Sequence, residues 1–240
     1  MAAKVIGRAP PPKHRQSKSA AENKQSEREE SKHLETGDVI DRRFRLGRLL
    51  GQGGFGAVYE CEDARSKETY AIKIELRKPR PNMPGLALET SVLKRLQNGT
   101  HFAKFIHSGS FSGNSFLIMQ LLGKNLTDLR RACPDKKLGL SSLLRATVQC
   151  FEAIEQMHKV GILHRDIKPG NFTIGATKAE EKIIYLLDFG LVRKFTQKDG
   201  KIRPKRPRAA FRGTRRYASV NSLRDVDYGR HDDLLSWIYS

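Results

Sequence analysis

The sequence predicts an α+β fold in two lobes, an antiparallel sheet carrying one helix followed by a mostly helical half. Two observations predict it. Between Val39 and Leu122, short runs rich in β-branched and aromatic residues alternate with turn residues, the pattern of a strand meander. After Gly123 apolar residues recur at helical spacing instead. The change of period places a hinge near Gln120–Gly123.

Taken in order, Met1 to Thr36 is rich in Lys, Arg, Glu, Ser, Gln and Pro with almost no large apolar side chain, too polar to offset the entropy of ordering, and is expected to be a disordered tail. A folded domain is expected over 37–240, with a small lobe at 37–119, a hinge at 120–123 and a large lobe at 124–240. Strands are predicted within 43–50, 56–63, 69–76, 103–109 and 115–122. Leu86, Leu88, Val92, Leu93 and Leu96 lie at helical spacing, with Pro84 and Gly85 read as the breaker before them. Beyond the hinge, Leu126 and Leu129 suit a short helix. Leu144, Val148, Phe151, Ile154 and Met157 mark the apolar face of a longer one, with Ser141 as its N-cap and Gly161 as its stop. Two short strands follow, at 172–174 and 183–187.

At 240 residues the chain can bury one good core or two small lobes sharing a cleft. No run of 18 or more apolar residues appears, and 30% of residues are charged, so a membrane-spanning helix is not expected. The N-terminus lacks the apolar stretch of a signal peptide, and a cytoplasmic setting is expected. There Cys61, Cys133 and Cys150, odd in number and without metal-site spacing, are read as free thiols. The formal charge of +19 calls for an acidic partner, whether nucleic acid, anionic membrane, or acidic or phosphorylated protein, and composition does not choose among these.

Chemistry enters with three motifs. Gly51, Gly53 and Gly56 stand in G-x-G-x-x-G spacing across a predicted strand–strand turn, where backbone N–H groups can cover a polyphosphate. A dinucleotide loop of the same spacing would open a helix, whereas Gly56–Asp63 reads as a strand; a glycine-rich hairpin without a ligand remains the bland alternative. Lys73 lies inside the apolar strand that follows. If buried it needs a partner, and Glu89 on the next helix is placed to be one; otherwise it is a solvent-facing lysine on an edge strand. The third motif runs His164-Arg165-Asp166-Ile167-Lys168-Pro169-Gly170-Asn171, followed by Asp188-Phe189-Gly190. Phosphoryl transfer needs a carboxylate for the attacking hydroxyl, a cation for the transferring group and oxygen ligands for Mg2+. Asp166, Lys168, and the pair Asn171 and Asp188 meet those needs in turn.

These motifs resemble those of the eukaryotic protein kinases, and lysine two places after Asp166 is similar to the Ser/Thr class. Gly213-Thr214-Arg215-Arg216-Tyr217-Ala218-Ser219-Val220-Asn221, with its Ser-x-Asn, resembles the casein kinase 1 group. The segments at 119–131, 195–214 and 229–234 resemble the tau-tubulin kinase branch. The resemblance covers 36–240. It implies the bilobal kinase fold, ATP and Mg2+ as cofactors, and transfer of the γ-phosphoryl to protein Ser and Thr hydroxyls. By the same resemblance ATP would be held by Leu50, Gly51, Gln52, Gly53, Gly54, Phe55, Gly56, Ala57, Val58, Ala71, Lys73 and Glu89. Met119 would be the gatekeeper, and the backbone of Gln120, Leu121 and Leu122 would bind the purine. Asp166 and Lys168 would be catalytic and Asn171 and Asp188 metal ligands. Thr214 would contact Asp166 and Lys168, and Asp233 would hold the backbone of the His-Arg-Asp turn. The family's large lobe continues past this point, so the chain is expected to be cut off within it.

Between Arg193 and Arg216 lie Arg193, Lys194, Lys198, Lys201, Arg203, Lys205, Arg206, Arg208, Arg212, Arg215 and Arg216, with Asp199 the only acid. In a kinase this segment meets the substrate, so acidic or previously phosphorylated proteins are expected, cytoskeletal ones by resemblance; Arg216 matches an arginine implicated in phosphate binding in the casein kinase 1 group. A solvated basic loop is the bland alternative, and nuclear import through 203–208 a further one. A nucleotide- or partner-binding module without turnover competes with the enzyme reading. No DNA, RNA or membrane partner is expected, because a nucleic-acid reading rests on net charge alone.

Overall fold

The computed structural model describes residues 34–53, 56–76 and 85–240; most of the expected tail, together with Gly54, Phe55 and Pro84, lies outside them. Thr36–Ser240 forms one compact unit. Its first half is a six-stranded antiparallel sheet in the order β1-β2-β3-β4-β6-β5. The strands are β1 Val39–Ile40, β2 Phe44–Gly53, β3 Gly56–Asp63, β4 Thr69–Glu75, β5 Phe105–Phe111 and β6 Asn114–Gln120. All but the two-residue β1 form where the alternating runs predicted them. Phe44 and Leu46 of β2, Ala57 and Cys61 of β3, and Ile72 and Ile74 of β4 are buried, the period of two that a half-covered sheet imposes.

Helix α1, Gly85–Arg95, is the one helix of this half among the described residues. Leu86, Glu89, Val92 and Leu93 are its buried residues. The 3.6-residue repeat therefore turns a carboxylate inward with the leucines. Gly85 is the first residue of the helix, with φ 59, rather than a breaker ahead of it. Glu75 of β4 stands at this end, its Oε1 accepting from the Leu86 N–H at 3.1 Å.

The second half begins sooner than its sequence suggests. Leu122–Asn125 is a strand, β7, in a three-stranded sheet of order β10-β9-β7 with β9 Phe172–Gly175 and β10 Ile184–Leu186. Four residues abutting a helix are too few to display alternation, so only the pairing of Leu122 with Gly175 and Asn125 with Thr173 defines it. Helix α2, Leu126–Ala132, follows with Asn125 as N-cap, and α3 spans Leu140–Lys159.

Helix α3 corrects two expectations. Its N-cap is Gly139, without a side-chain bond, and Ser141 lies inside the first turn. Its buried residues are Cys150, Ala153, Ile154 and Met157, whereas Leu144 and Val148 are each 57% exposed and Phe151 is 41% exposed. Apolar residues occupy two adjoining stripes of this helix, and periodicity cannot say which one the core covers. Gly161 does follow its end in the left-handed conformation, φ 77. The chain continues through β8 Ile162–Leu163, which pairs with β11 Arg193–Lys194, to α4 Val220–Leu223 and α5 Arg230–Ile238. One cluster of buried apolar residues runs through both halves, from Leu93 of α1 and Leu117 of β6 to Ile154 of α3 and Leu186 of β10. No helix among the described residues is long and apolar enough to cross a membrane.

Candidate active site

Two cavities meet between the sheet and the helical half. The larger, about 580 Å3, is lined on its sheet side by Leu50, Gly51, Gln52, Gly53, Gly56, Val58, Ala71, Lys73 and Glu89. At the connection it is lined by Met119, Gln120, Leu121 and Leu122, and on the helical side by Asn171 and Asp188. The second, about 310 Å3, shares Gly56, Lys73, Glu89 and Asp188 and adds Asp166, Lys168 and Thr214. Residues far apart in sequence and read as one site thus line one continuous cleft. Ala57 is the exception. It is fully buried on the other face of β3, because neighbours in a strand point to opposite sides. Gly56 must lack a side chain, since a Cβ there would stand 2.0 Å from the Ile74 carbonyl oxygen.

Lys73 projects from the middle of β4, and its Nζ donates to Glu89 Oε2 at 2.6 Å and to Asp188 Oδ1 at 3.5 Å. The edge-strand alternative is excluded, because β4 is paired on both sides, Lys73 opposite Val58 and opposite Leu117. Burial works against its charge, but the Glu89 carboxylate, then that of Asp188, overrides burial and raises its pKa. Burial likewise opposes ionisation of Asp188, and the Lys73 ammonium outweighs it, so the Asp188 carboxyl lies below its ordinary range.

The loop after β8 is set by the helix behind it. Asp233 of α5, wholly buried, accepts from the backbone N–H of His164 and of Arg165, each at 2.9 Å, and pairs with His158 Nε2 at 2.8 Å. Arg165 is held at φ 68, a conformation that costs a non-glycine residue energy and persists here because its N–H is pinned. The N–H of Asp166 donates to His164 Nδ1 at 3.2 Å, which leaves His164 Nε2 to donate to the Leu187 carbonyl at 3.0 Å. His164 thereby ties this loop to the chain ahead of Asp188. Phe189, buried, packs its ring edge-on to His164 at 5.9 Å.

On that support stands a compact polar cluster. Lys168 Nζ donates to Asp166 Oδ2 at 2.6 Å and to Thr214 Oγ1 at 3.1 Å, and the Thr214 hydroxyl donates to Asp166 Oδ1 at 2.7 Å. Gly213 lets the two segments touch. At φ 109 it adopts a backbone closed to other residues, and a Cβ there would lie 2.5 Å from the Arg165 carbonyl oxygen. Asn171 donates its amide nitrogen to the Asp166 carbonyl at 2.8 Å, which leaves its amide oxygen, with the Asp188 carboxylate, as the pair of hard oxygen donors that would hold a metal. Among the described residues no group of three or more His, Cys, Asp or Glu could hold a metal. An amide and a carboxylate fit Mg2+, which keeps most of its waters and takes few protein ligands.

Arg215 and Arg216 lie outside the cleft, exposed, on a 3-10 turn directly after Thr214, their guanidinium groups over the rings of Phe211 and Tyr217 at 5.9 and 5.8 Å. The basic segment is less free than its sequence suggests. Arg193 and Arg206 pair with Asp227, and Arg208 with Asp225, acids that come after the segment in the chain. Burial chiefly, and after it the neighbouring Arg212, Arg206 and Arg193, lower the Arg165 guanidinium to about 10.

Sequence reasoning missed Gly123, Lys124, Asn125, Asp128, Gly170, Thr173 and Leu187, which also line the cleft. Each lies within a few residues of a recognised motif or of the hinge, and only the fold shows which of them face it.

A profile of the protein kinase domain family matches residues 44–237. A Dictyostelium discoideum protein named as a probable serine/threonine-protein kinase is 41% identical over 203 residues, 85% of this chain and 41% of its own length. The Caenorhabditis elegans serine/threonine-protein kinase spe-6 is 37% identical over 83% of this chain and 52% of its own. A C. elegans protein provisionally named a casein kinase I is 33% identical over 87% and 61%. The chain spans about half the length of these curated relatives.

Proposed function

The chain belongs to the protein kinase domain family, and from that premise we propose that it transfers the γ-phosphoryl group of ATP to Ser and Thr hydroxyls of proteins. The observation that carries the proposal is the cluster of Asp166, Lys168 and Thr214 in the smaller cavity, which the Lys73–Glu89 pair also lines.

In this reading the larger cavity takes the nucleotide, its base against Leu121 and Leu122 and its phosphates toward Lys73. The acceptor hydroxyl enters the smaller cavity. Its oxygen bonds to the γ-phosphorus, the bond to the β–γ bridging oxygen breaks and ADP leaves; the hydroxyl proton passes to the Asp166 carboxylate. Lys168, held on Asp166 and Thr214, offsets charge on the transferring group. Mg2+, held by Asn171 and Asp188 when bound, would neutralise the phosphates.

The finer reading sets the chain beside the tau-tubulin kinases of the casein kinase 1 group, on the Gly213–Asn221 motif. It also gives it acidic or phosphorylated protein substrates. Arg215 and Arg216 support this, being exposed, adjacent to the catalytic cluster and without an ion-pair partner among the described residues.

The test is γ-phosphoryl transfer by the full chain to acidic, phosphorylated and neutral Ser/Thr peptides, beside Asp166→Ala and the double variant Arg215→Ala, Arg216→Ala. Transfer abolished by Asp166→Ala is expected; transfer that survives it overturns the assignment. The double variant should lose about tenfold more on acidic than on neutral peptides. Equal loss on both removes the acidic-substrate reading.

A further inference from the structure

We infer that Thr173 is a specificity determinant of the nucleotide cleft, its hydroxyl reserved for a hydrogen bond to the base or ribose of the bound nucleotide. Thr173 is the second residue of β9, two places after Asn171, and it lines the larger cavity. Its strand neighbours are Asn125 on β7 and Tyr185 on β10, while Gly175, further along β9, pairs with Leu122 at the connection between the halves. It therefore floors the stretch between the purine-binding backbone and the Asn171–Asp188 end, beneath the junction of base and sugar.

The second observation is independent of place. Thr173 is only 6% exposed, and among the described residues its Oγ1 is the buried side-chain polar atom with no hydrogen-bond partner. The other two buried polar side chains that line this cavity are engaged, Glu89 with Lys73 and Asn171 with Asp166. An unpaired buried hydroxyl is unfavourable, and valine would fill the same space without that cost. Rotation about χ1 by one staggered step carries the threonine hydroxyl to the position its methyl held, with the methyl taking the place of the Cβ hydrogen, so the oxygen can be turned toward a ligand while the backbone stays in place. A hydroxyl both donates and accepts, so it can meet a ring nitrogen of the base or a ribose hydroxyl.

The inference rests on the cleft being a nucleotide site, and its test separates the two. Binding of ATP with Mg2+ is measured calorimetrically on the full chain, its Thr173→Val and its Thr173→Ser, with thermal unfolding recorded without nucleotide. Thr173→Val is expected to unfold at a higher temperature than wild type when empty, yet to bind ATP about three- to tenfold more weakly, the worth of one neutral hydrogen bond. Thr173→Ser should keep wild-type affinity. The arms with 2′-deoxy-ATP and 7-deaza-ATP locate the partner atom: the analogue that lacks it should bind wild type and Thr173→Val alike. Undiminished ATP affinity in Thr173→Val, or lowered stability of the empty variant, overturns the inference while the nucleotide reading stands. Failure of wild type to bind ATP overturns both.

Discussion

Replacing Asp233 by Asn tests whether one buried carboxylate holds the catalytic loop in place. The change keeps shape and volume but leaves one acceptor oxygen where there were two. In the less costly orientation that oxygen keeps the His164 N–H at 2.9 Å and His158 at 2.8 Å, and the new amide N–H2 faces the Arg165 N–H. A donor then opposes a donor in a site with no exposure. Loss of one hydrogen bond to a charged acceptor costs roughly 1.5–3 kcal/mol, and weakening of the two that remain adds about 1–2 kcal/mol. The expected destabilisation is about 2.5–5 kcal/mol, a large share of the roughly 5–15 kcal/mol that holds an ordinary domain folded. Trp237, the only tryptophan, lies one turn further along the same helix and 5.5 Å from Phe151 of α3, so its fluorescence reports urea unfolding from beside the perturbation. Arg165, no longer pinned at φ 68, should relax and carry Asp166 with it, lowering kcat far more than ATP affinity, which depends on the sheet half. A loss below about 1 kcal/mol with kcat intact would falsify the claim that Asp233 builds the loop.

Two further outcomes follow from the same geometry. Thr214→Val removes the hydroxyl between Asp166 Oδ1 and Lys168 Nζ, so kcat should fall about 10- to 100-fold with ATP affinity within about twofold, and Thr214→Ser should restore it; steady-state kinetics on a Ser peptide reads both. Acid stability should depend on Asp227. Burial opposes its ionisation, but the Arg206 backbone and guanidinium and the Arg193 guanidinium win and hold it at about 2. A carboxyl lowered in the folded state contributes stability that is complete above its unfolded value, about 3.9, and is lost as pH falls from about 4 to about 2. Asp227→Asn should remove this portion of the acid transition and cost at most about 2 kcal/mol near neutral pH, since Arg206 is 45% exposed and screened. An acid unfolding curve identical to wild type would exclude the role.

The sequence by itself determined the two-lobed α+β fold, the five longer strands of the first half and most of the residues that line the cleft. That much is local: alternation reports a half-buried strand from a handful of neighbours, and the run from His164 to Asn171 is contiguous. The rest had to wait for tertiary contacts. Helix α3 carries apolar residues on two stripes, and only its neighbours decide that Cys150, Ala153, Ile154 and Met157 go inside while Leu144 and Val148 stay out. Strand β7 exists because β9 lies beside it. The basic segment holds Asp199 as its only acid, and the partners of Arg208, Arg206 and Arg193 are Asp225 and Asp227, which lie beyond it in the chain. Thr173 carries no motif at all. An unpaired hydroxyl is a property of everything packed around it, and a sequence lists the groups that can pair without showing which of them are left over.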